Sequence, residues 1–355
     1  MPLASSKVTS SYEDIRNNVN TYLDDFCIRQ QKRASSYGTD YEMLWENIRI
    51  HIGHGGKRLR PYLVDIAYRG YRGSPEVSII PIAAAWELLH TCLLIHDDII
   101  DRDDVRHNHL NISGIYKNKY QSDSEHLALS TALLAGDALL GSSNELILVS
   151  DFSAQIKNQL ISQLNKALFG VIGGELEDTV AVLKQLQSVS ARHIATSKTA
   201  EYSIIYPLIS GAIAAEVSDS EIKKLTQFGT DIGLAYQLKD DIIGVFGDQK
   251  QTGKSNESDI YEKKRTVLLQ ETHNRVHADD KAWLENQFMS DASLSKDDVQ
   301  RIKHLIQESG ARHSIEKEIR LLHAAASQQL ANLKMQQPVK KELYDFLEKL
   351  MVRHV

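Results

Sequence analysis

The chain has 355 residues, is 42% apolar and 25% charged, and carries a formal charge of −6. That is enough apolar material for a large core, and the acidic balance excludes a global basic field for nucleic acid. Two cysteines, Cys27 and Cys92, make neither a disulfide framework nor a zinc cluster, so a reducing, cytoplasmic setting is expected.

The N-terminal stretch 1–11 is Ser-rich and polar with no signal-peptide core, and is expected to be a disordered arm. The most apolar run, 79–95, contains Glu87 and His90 and ends at Asp97, so no membrane-spanning segment is expected. Apolar residues then recur at helical spacing: Ile48 and Ile52; Ile82, Ala85, Trp86, Leu89 and Leu93; Ile156, Leu160, Leu164 and Leu168; Leu225, Phe228, Ile232 and Ala235. Alternating strand patterns are scarce. The spacing predicts an all-α protein of ten or more helices. Loops are expected at 69–77, 107–125, 247–261 and 290–297, where Gly, Ser, Asn and Asp gather. None resembles an interdomain linker, so residues 12–355 are expected to form one domain.

Gly53-His54-Gly55-Gly56-Lys57-Arg58-Leu59-Arg60-Pro61 is the densest basic motif. Glycines let backbone approach an anion, and Pro61 suits a helix start. Lys57, Arg58 and Arg60 could then form a phosphate cradle. A solvated loop with a helix cap is the alternative.

The next motif ends an apolar helix as His96-Asp97-Asp98-Ile99-Ile100-Asp101. Asp97 and Asp101 are four residues apart, so they share a helix face and repel. They also stand at a helix C-terminus, where the macrodipole disfavours anions. A hard cation such as Mg²⁺ would relieve both penalties; a solvated helix end is the bland reading. His90 lies two turns earlier on the same face. Asp240-Asp241-Ile242-Ile243 repeats the arrangement after a second apolar helix, with Gln237 one turn before. Two carboxylate clusters can hold several Mg²⁺ ions around one diphosphate. The second has Gly244 where the first has Asp101, and should bind metal with fewer direct ligands.

Lys198-Thr199-Ala200-Glu201-Tyr202 opens a further apolar helix, and its lysine and hydroxyl could reach phosphate. Thr252-Gly253-Lys254-Ser255 suggests a nucleotide P-loop, but Asp248 stands where that motif needs glycine and no strand precedes it. Lys254 and Lys264 read better as a closing cation pair.

The order GGKRLRP, HDDIID, KTAEY, YQLKDDIIG and GK…D…K-x-T resembles the trans-type isoprenyl diphosphate synthases, or polyprenyl synthetases. The resemblance is strong over about residues 47–269. It implies a helical bundle around a deep central cavity, usually a homodimer. It also implies condensation of isopentenyl diphosphate with an allylic diphosphate. Asp97, Asp98 and Asp101 match the first aspartate motif and Asp240 and Asp241 the second, binding three Mg²⁺. Lys198, Thr199, Gln237, Lys254 and Lys264 match contacts to the allylic diphosphate, as does Arg106. Lys57, Arg60 and His90 match the isopentenyl diphosphate site. Three departures stand out: His107 replaces the second arginine of a pair, Gly244 an aspartate, and Glu175 a frequent glutamine.

Cys92 and Leu93 precede Asp97 by five and four residues. In the family an aromatic residue at the earlier position stops elongation. Cys92 is small, so the expected product has about twenty carbons, the geranylgeranyl length, or somewhat more. Leu93, Leu133 and Leu134 could close the floor of the tail cavity. Terpene cyclases and head-to-head condensing enzymes share Asp clusters, but need no isopentenyl diphosphate site. A non-catalytic subunit would be expected to lose aspartates, and a phosphohydrolase built on His96-Asp97 would need further histidines.

Overall fold

A computed structural model describes residues 12–106, 108–120, 124–247 and 257–351. The described chain is all-α apart from one two-residue hairpin, Val105–Arg106 (β1) against His109–Leu110 (β2). It divides into two compact units. The first comprises Met1–Tyr68 and Gly73–Ile161, the second Arg69–Arg72 and Ser162–Val355. No described helix is long and apolar enough to cross a membrane.

The first unit is built on α4 (Ile80–Ile100), in which every residue from Ile82 to Leu89 is buried. An all-round apolar sequence makes this a central helix rather than a surface one. It packs on α6 (Ser124–Leu148) and on α1 (Tyr12–Ala34), which in turn packs on α2 (Thr39–Gly53). On α1, the residues Ile15, Val19, Leu23 and Phe26 form the buried stripe. The glycine loop joins α2 to α3 (Leu59–Gly70).

The expected loop at 107–125 contains a helix, α5 (Ile112–Tyr120). Its Asn and Gly residues had been read as breakers. Instead Asn111 Oδ1 accepts the Gly114 amide at 2.8 Å, capping the helix start. Gly114 is required because a Cβ there would lie 2.2 Å from the Asp104 carbonyl oxygen. The buried Ile112 and Tyr116 complete the helix's inner face.

Helix α7 (Ala154–Ala181) carries the chain into the second unit. Next come α8 (Ala191–Ala195), a π-helical segment Thr196–Ile205, and α9 (Tyr206–Ala214). Helix α10 (Asp219–Phe246) packs on that π-helical segment and on α15 (Ala311–Asn332). The remaining helices are α11 (Ser258–Tyr261), α12 (Val267–Arg275), α13 (Ala278–Met289), α14 (Lys296–Glu308) and α16 (Gln337–Met351). Leu238, Ile242 and Val245 of α10 join Leu268, Phe288 and Ile302 in one apolar core. The C-terminal turns of α10 are thus anchored from behind.

Candidate active site

In the first unit, α4 ends at the first acidic motif, with Asp101 as its C-cap residue. Asp97 is half-buried and Asp101 exposed, whereas Asp98 is only 2% exposed. The two outward carboxylates share one face, as their spacing predicts. Asp98 points inward and is tied to the hairpin: Arg106 Nε donates to Asp98 Oδ1 at 2.6 Å. The same guanidinium donates to Asp97 Oδ2 at 3.0 Å. Burial pushes the Asp98 carboxyl up to about 6 despite this cation. Its Oδ2 is buried without a hydrogen bond. Asp98 is thus better described as the anchor that aims Arg106 than as a direct metal ligand.

The basic loop splits in the same way. Lys57 is exposed and Arg60 is 8% exposed, while His90 is half-buried on α4. Arg58 leaves the expected phosphate cradle altogether. Its guanidinium is buried and meets Glu87 Oε1 at 2.6 Å, Asn20 Oδ1 at 2.8 Å and the Ile52 carbonyl at 2.7 Å. A buried arginine facing a buried glutamate, with its donors used within the protein, is a staple between helices.

Cys92 is 1% exposed, and burial pushes its thiol up to about 12. It behaves as a small apolar residue. Its Sγ lies 4.0 Å from His96 Nδ1, and Asp137 of α6 acts on it electrostatically. Leu93 is half-buried beside it. Leu133 and Leu134 are 50% and 59% exposed, so within this unit they do not close a floor, contrary to the expectation. They sit on the outward face of α6.

In the second unit, the KTAEY motif lies on the π-helical segment. Such wider turns are often found at functional sites because they redirect side chains from the α-helical register. Lys198 Nζ meets Glu175 at 2.9 Å and Asp178 at 2.7 Å, both from α7. Burial opposes the ammonium, but the two carboxylates outweigh it and hold Lys198 charged above its ordinary range. Gly174 permits this approach: a Cβ there would be 2.7 Å from the Lys198 amide nitrogen. Thr199 follows on the same segment, half-buried.

At the end of α10, Asp241 is buried and both its oxygens are used. Oδ1 accepts from Gln237 Nε2 at 2.9 Å and Oδ2 accepts the Val267 amide at 3.1 Å. Burial pushes its carboxyl up to about 7. Gln237 therefore serves Asp241, and Asp241 pins the start of α12 instead of facing outward as a metal ligand. Asp240 is half-buried.

Gly244 is explained by a residue that sequence reasoning left without a role. A Cβ at 244 would lie 2.0 Å from Asp259 Oδ2 and 2.8 Å from its Cγ. The carboxylate that the motif lacks is replaced in space by one from α11. Lys264 Nζ lies 4.0 Å from Asp259 Oδ1 and 2.7 Å from Glu262. Asp259 is the isolated D of GK…D…K-x-T, which was the available signal. Asp178 was also missed; its spacing of three from Glu175 was the clue. His107 and Lys254 lie outside the described residues.

Among the described residues no three His, Cys, Asp or Glu side chains converge to hold an ion by themselves. Mg²⁺ keeps waters and takes one or two carboxylates together with substrate phosphates. Asp97 with Asp101, and Asp240 with Asp259, fit such a donor set.

Residues 41–307 match the family model for polyprenyl synthetase. This chain belongs to the polyprenyl synthetase family. Farnesyl diphosphate synthase of Bacillus subtilis is 32% identical over 260 residues, 70% of this chain and 83% of its own length. Geranylfarnesyl diphosphate synthase of Aeropyrum pernix is 30% identical, covering 86% and 92%. A crystal structure of geranylgeranyl pyrophosphate synthase from Corynebacterium glutamicum, complexed with isoprenyl diphosphate and magnesium, superposes with a TM-score of 0.86. It is 29% identical, covering 97% of this chain and 98% of that one. The chain is a trans-prenyltransferase of this family.

Proposed function

We propose that the protein condenses isopentenyl diphosphate with an allylic diphosphate, using Mg²⁺, to give a trans-polyprenyl diphosphate of about twenty carbons or somewhat more. The observation that carries this reading is the division of each acidic motif into a less buried carboxylate and a buried anchor, each motif in a unit that also carries lysine and arginine side chains from the motifs named above.

Asp97, Asp101, Asp240 and Asp259 would hold the metal, three ions by the resemblance. Mg²⁺ held there would supply positive charge against the allylic diphosphate as it leaves. Lys198, Thr199, Lys264 and Arg106 hold that diphosphate, with Lys254 in the same role. Lys57, Arg60 and His90 hold isopentenyl diphosphate, with His107 a weaker neighbour than the family's arginine. Its terminal double bond attacks the allylic carbon as the C–O bond breaks. The proton lost from the new chain goes to the departing diphosphate, since no described side chain is an evident base. Small, buried Cys92 leaves room beside Leu93 for a tail longer than fifteen carbons.

Two helices support a homodimer. Leu127 and Leu134 of α6 are exposed one heptad apart. On α7, Phe169, Ile172 and Leu176 form an exposed apolar stripe, Phe169 being 83% exposed. Such stripes mark interfaces, and each is a surface that a second copy would bury. The free cysteines are buried, in keeping with a cytoplasmic enzyme.

Product analysis with radiolabelled isopentenyl diphosphate, each allylic primer and Mg²⁺ tests the reading. Chains of about twenty carbons are expected. Failure to extend any primer overturns the activity, and a halt at fifteen carbons overturns the length.

A further inference from the structure

The glycine loop is held in an unusual backbone. Gly55 has φ +94°, Gly56 +150° and Arg58 +46°. Glycines adopt such angles readily, whereas an arginine in the left-handed region is strained and persists only where its surroundings hold it. What holds it comes from α1 together with the Ile52 carbonyl of α2 and Glu87 of α4. The Tyr12 hydroxyl donates to the Lys57 carbonyl. The Tyr12 ring packs edge-on against Tyr62 of α3 at 5.1 Å. One residue along the loop, Asn20 Oδ1 accepts from Arg58 Nε, while Glu87 of α4 takes the other side of the same guanidinium. Tyr12 and Asn20 are eight residues apart, two turns along one side of α1. The apolar stripe of Ile15, Val19 and Leu23 fixes that helix to the unit's core.

Lys57 is therefore held at its own carbonyl and through the next side chain, while the residue itself is exposed. Helix α1 lies outside residues 41–307, the part matched to the family. Neither Tyr12 nor Asn20 belongs to any motif that carries the resemblance.

We infer that α1 is a brace for the isopentenyl diphosphate loop, and that Tyr12 and Asn20 are positioning residues for Lys57. The inference rests on Lys57 binding that diphosphate, as proposed above. Removing the Tyr12 hydroxyl leaves the fold's apolar contacts intact but frees the Lys57 carbonyl. Removing the Asn20 acceptor frees one end of Arg58. In both cases the loop samples other backbone states, and binding of the second substrate weakens.

The experiment measures KM separately for isopentenyl diphosphate and for farnesyl diphosphate in Tyr12→Phe, Asn20→Leu, Asn20→Asp and Lys57→Ala, with thermal melts. One lost hydrogen bond should raise KM for isopentenyl diphosphate by about three- to ten-fold in Tyr12→Phe and in Asn20→Leu. KM for farnesyl diphosphate should stay within about two-fold, because the brace serves one substrate's loop. Asn20→Asp keeps the acceptor and should bring the KM raised in Asn20→Leu back down. If Lys57→Ala raises KM for isopentenyl diphosphate while the α1 variants fold and do not, the brace is wrong and the loop reading stands. If both KM values rise together, α1 is general support and the inference fails. If Lys57→Ala leaves that KM unchanged, the loop reading falls and the brace with it.

Discussion

The two acidic motifs have the same letters and different construction. In both, the second aspartate is buried and serves the protein. Asp98 aims Arg106 from the hairpin, and Asp241 pins Val267 at the start of α12. In both, the first aspartate is less buried than its neighbour. They differ in the third carboxylate. Asp101 caps the same helix four residues after Asp97, whereas the second motif draws Asp259 from a separate short helix into the space above Gly244. A helix can supply a carboxylate face from local spacing alone, but it can also leave a gap that a distant residue fills.

The largest expected effects test whether the outward aspartates share one role. Asp97→Ala should lower kcat by roughly 10³-fold and Asp240→Ala by roughly 10²-fold, since each removes charge stabilisation at the departing diphosphate. Steady-state rates at saturating Mg²⁺ check this, and an active Asp97→Ala enzyme would end the metal reading of the first motif. A smaller effect probes the gap at 244. Restoring the family residue with Gly244→Asp should reduce activity by about ten-fold, because its Cβ would displace Asp259. Asp259→Ala should be similarly impaired, and Gly244→Asp with Asp259→Ala should recover activity. If Gly244→Asp alone improves the enzyme, Asp259 is not a substitute.

Product length separates the two helices. Cys92→Tyr on α4 should shorten the product by about one isoprene unit, through the volume it adds to a packed interior. A change at the buried Leu238 of α10 to Met should leave length unaltered. Chromatography of dephosphorylated products decides, and unchanged chains in Cys92→Tyr would remove α4 from the argument.

The smallest effect concerns the buried anchors. Burial raises the carboxyl of Asp241 to about 7 and that of Asp98 to about 6 in the fold. A raised carboxylate pKa means the folded state holds the proton more tightly than the unfolded chain does. Stability is then favoured at low pH and declines as pH rises from the unfolded value near 4 through 6–7. With a chelator present, Tm should fall by about 2–4 °C for each kcal/mol lost across that window. Asp241→Asn should flatten the slope while lowering Tm throughout, because an amide NH₂ cannot accept from both Gln237 and Val267. A Tm that rises across the window would contradict burial as the dominant cause.

Much of the local framework of the candidate site was legible in the chain. Apolar periodicity predicted α4 and α10, and the i, i+4 rule placed Asp97 and Asp101 on one face. The glycine loop was legible as a motif, yet Arg58 was misread with its neighbours. Side-chain type says that an arginine can bind phosphate. Only packing shows that Glu87 and Asn20 already take it. The helix at 112–120 was missed because Asn111 and Gly114 are helix breakers in isolation, and their capping and close-contact roles appear only beside Asp104. The π-helical turns at Thr196–Ile205 left no mark in hydrophobic spacing, which is too coarse to separate π from α turns.

By itself the sequence determined that this is an all-α protein with two aspartate motifs and a basic glycine loop, because period, charge and spacing are local properties of a helix. Tertiary structure alone decided which carboxylates face outward, how Asp259 replaces a side chain at Gly244, and how α1 grips the loop around Lys57. Those depend on residues far apart in the chain meeting in space, and on burial, which turns one charged residue into an anchor and leaves its neighbour less buried.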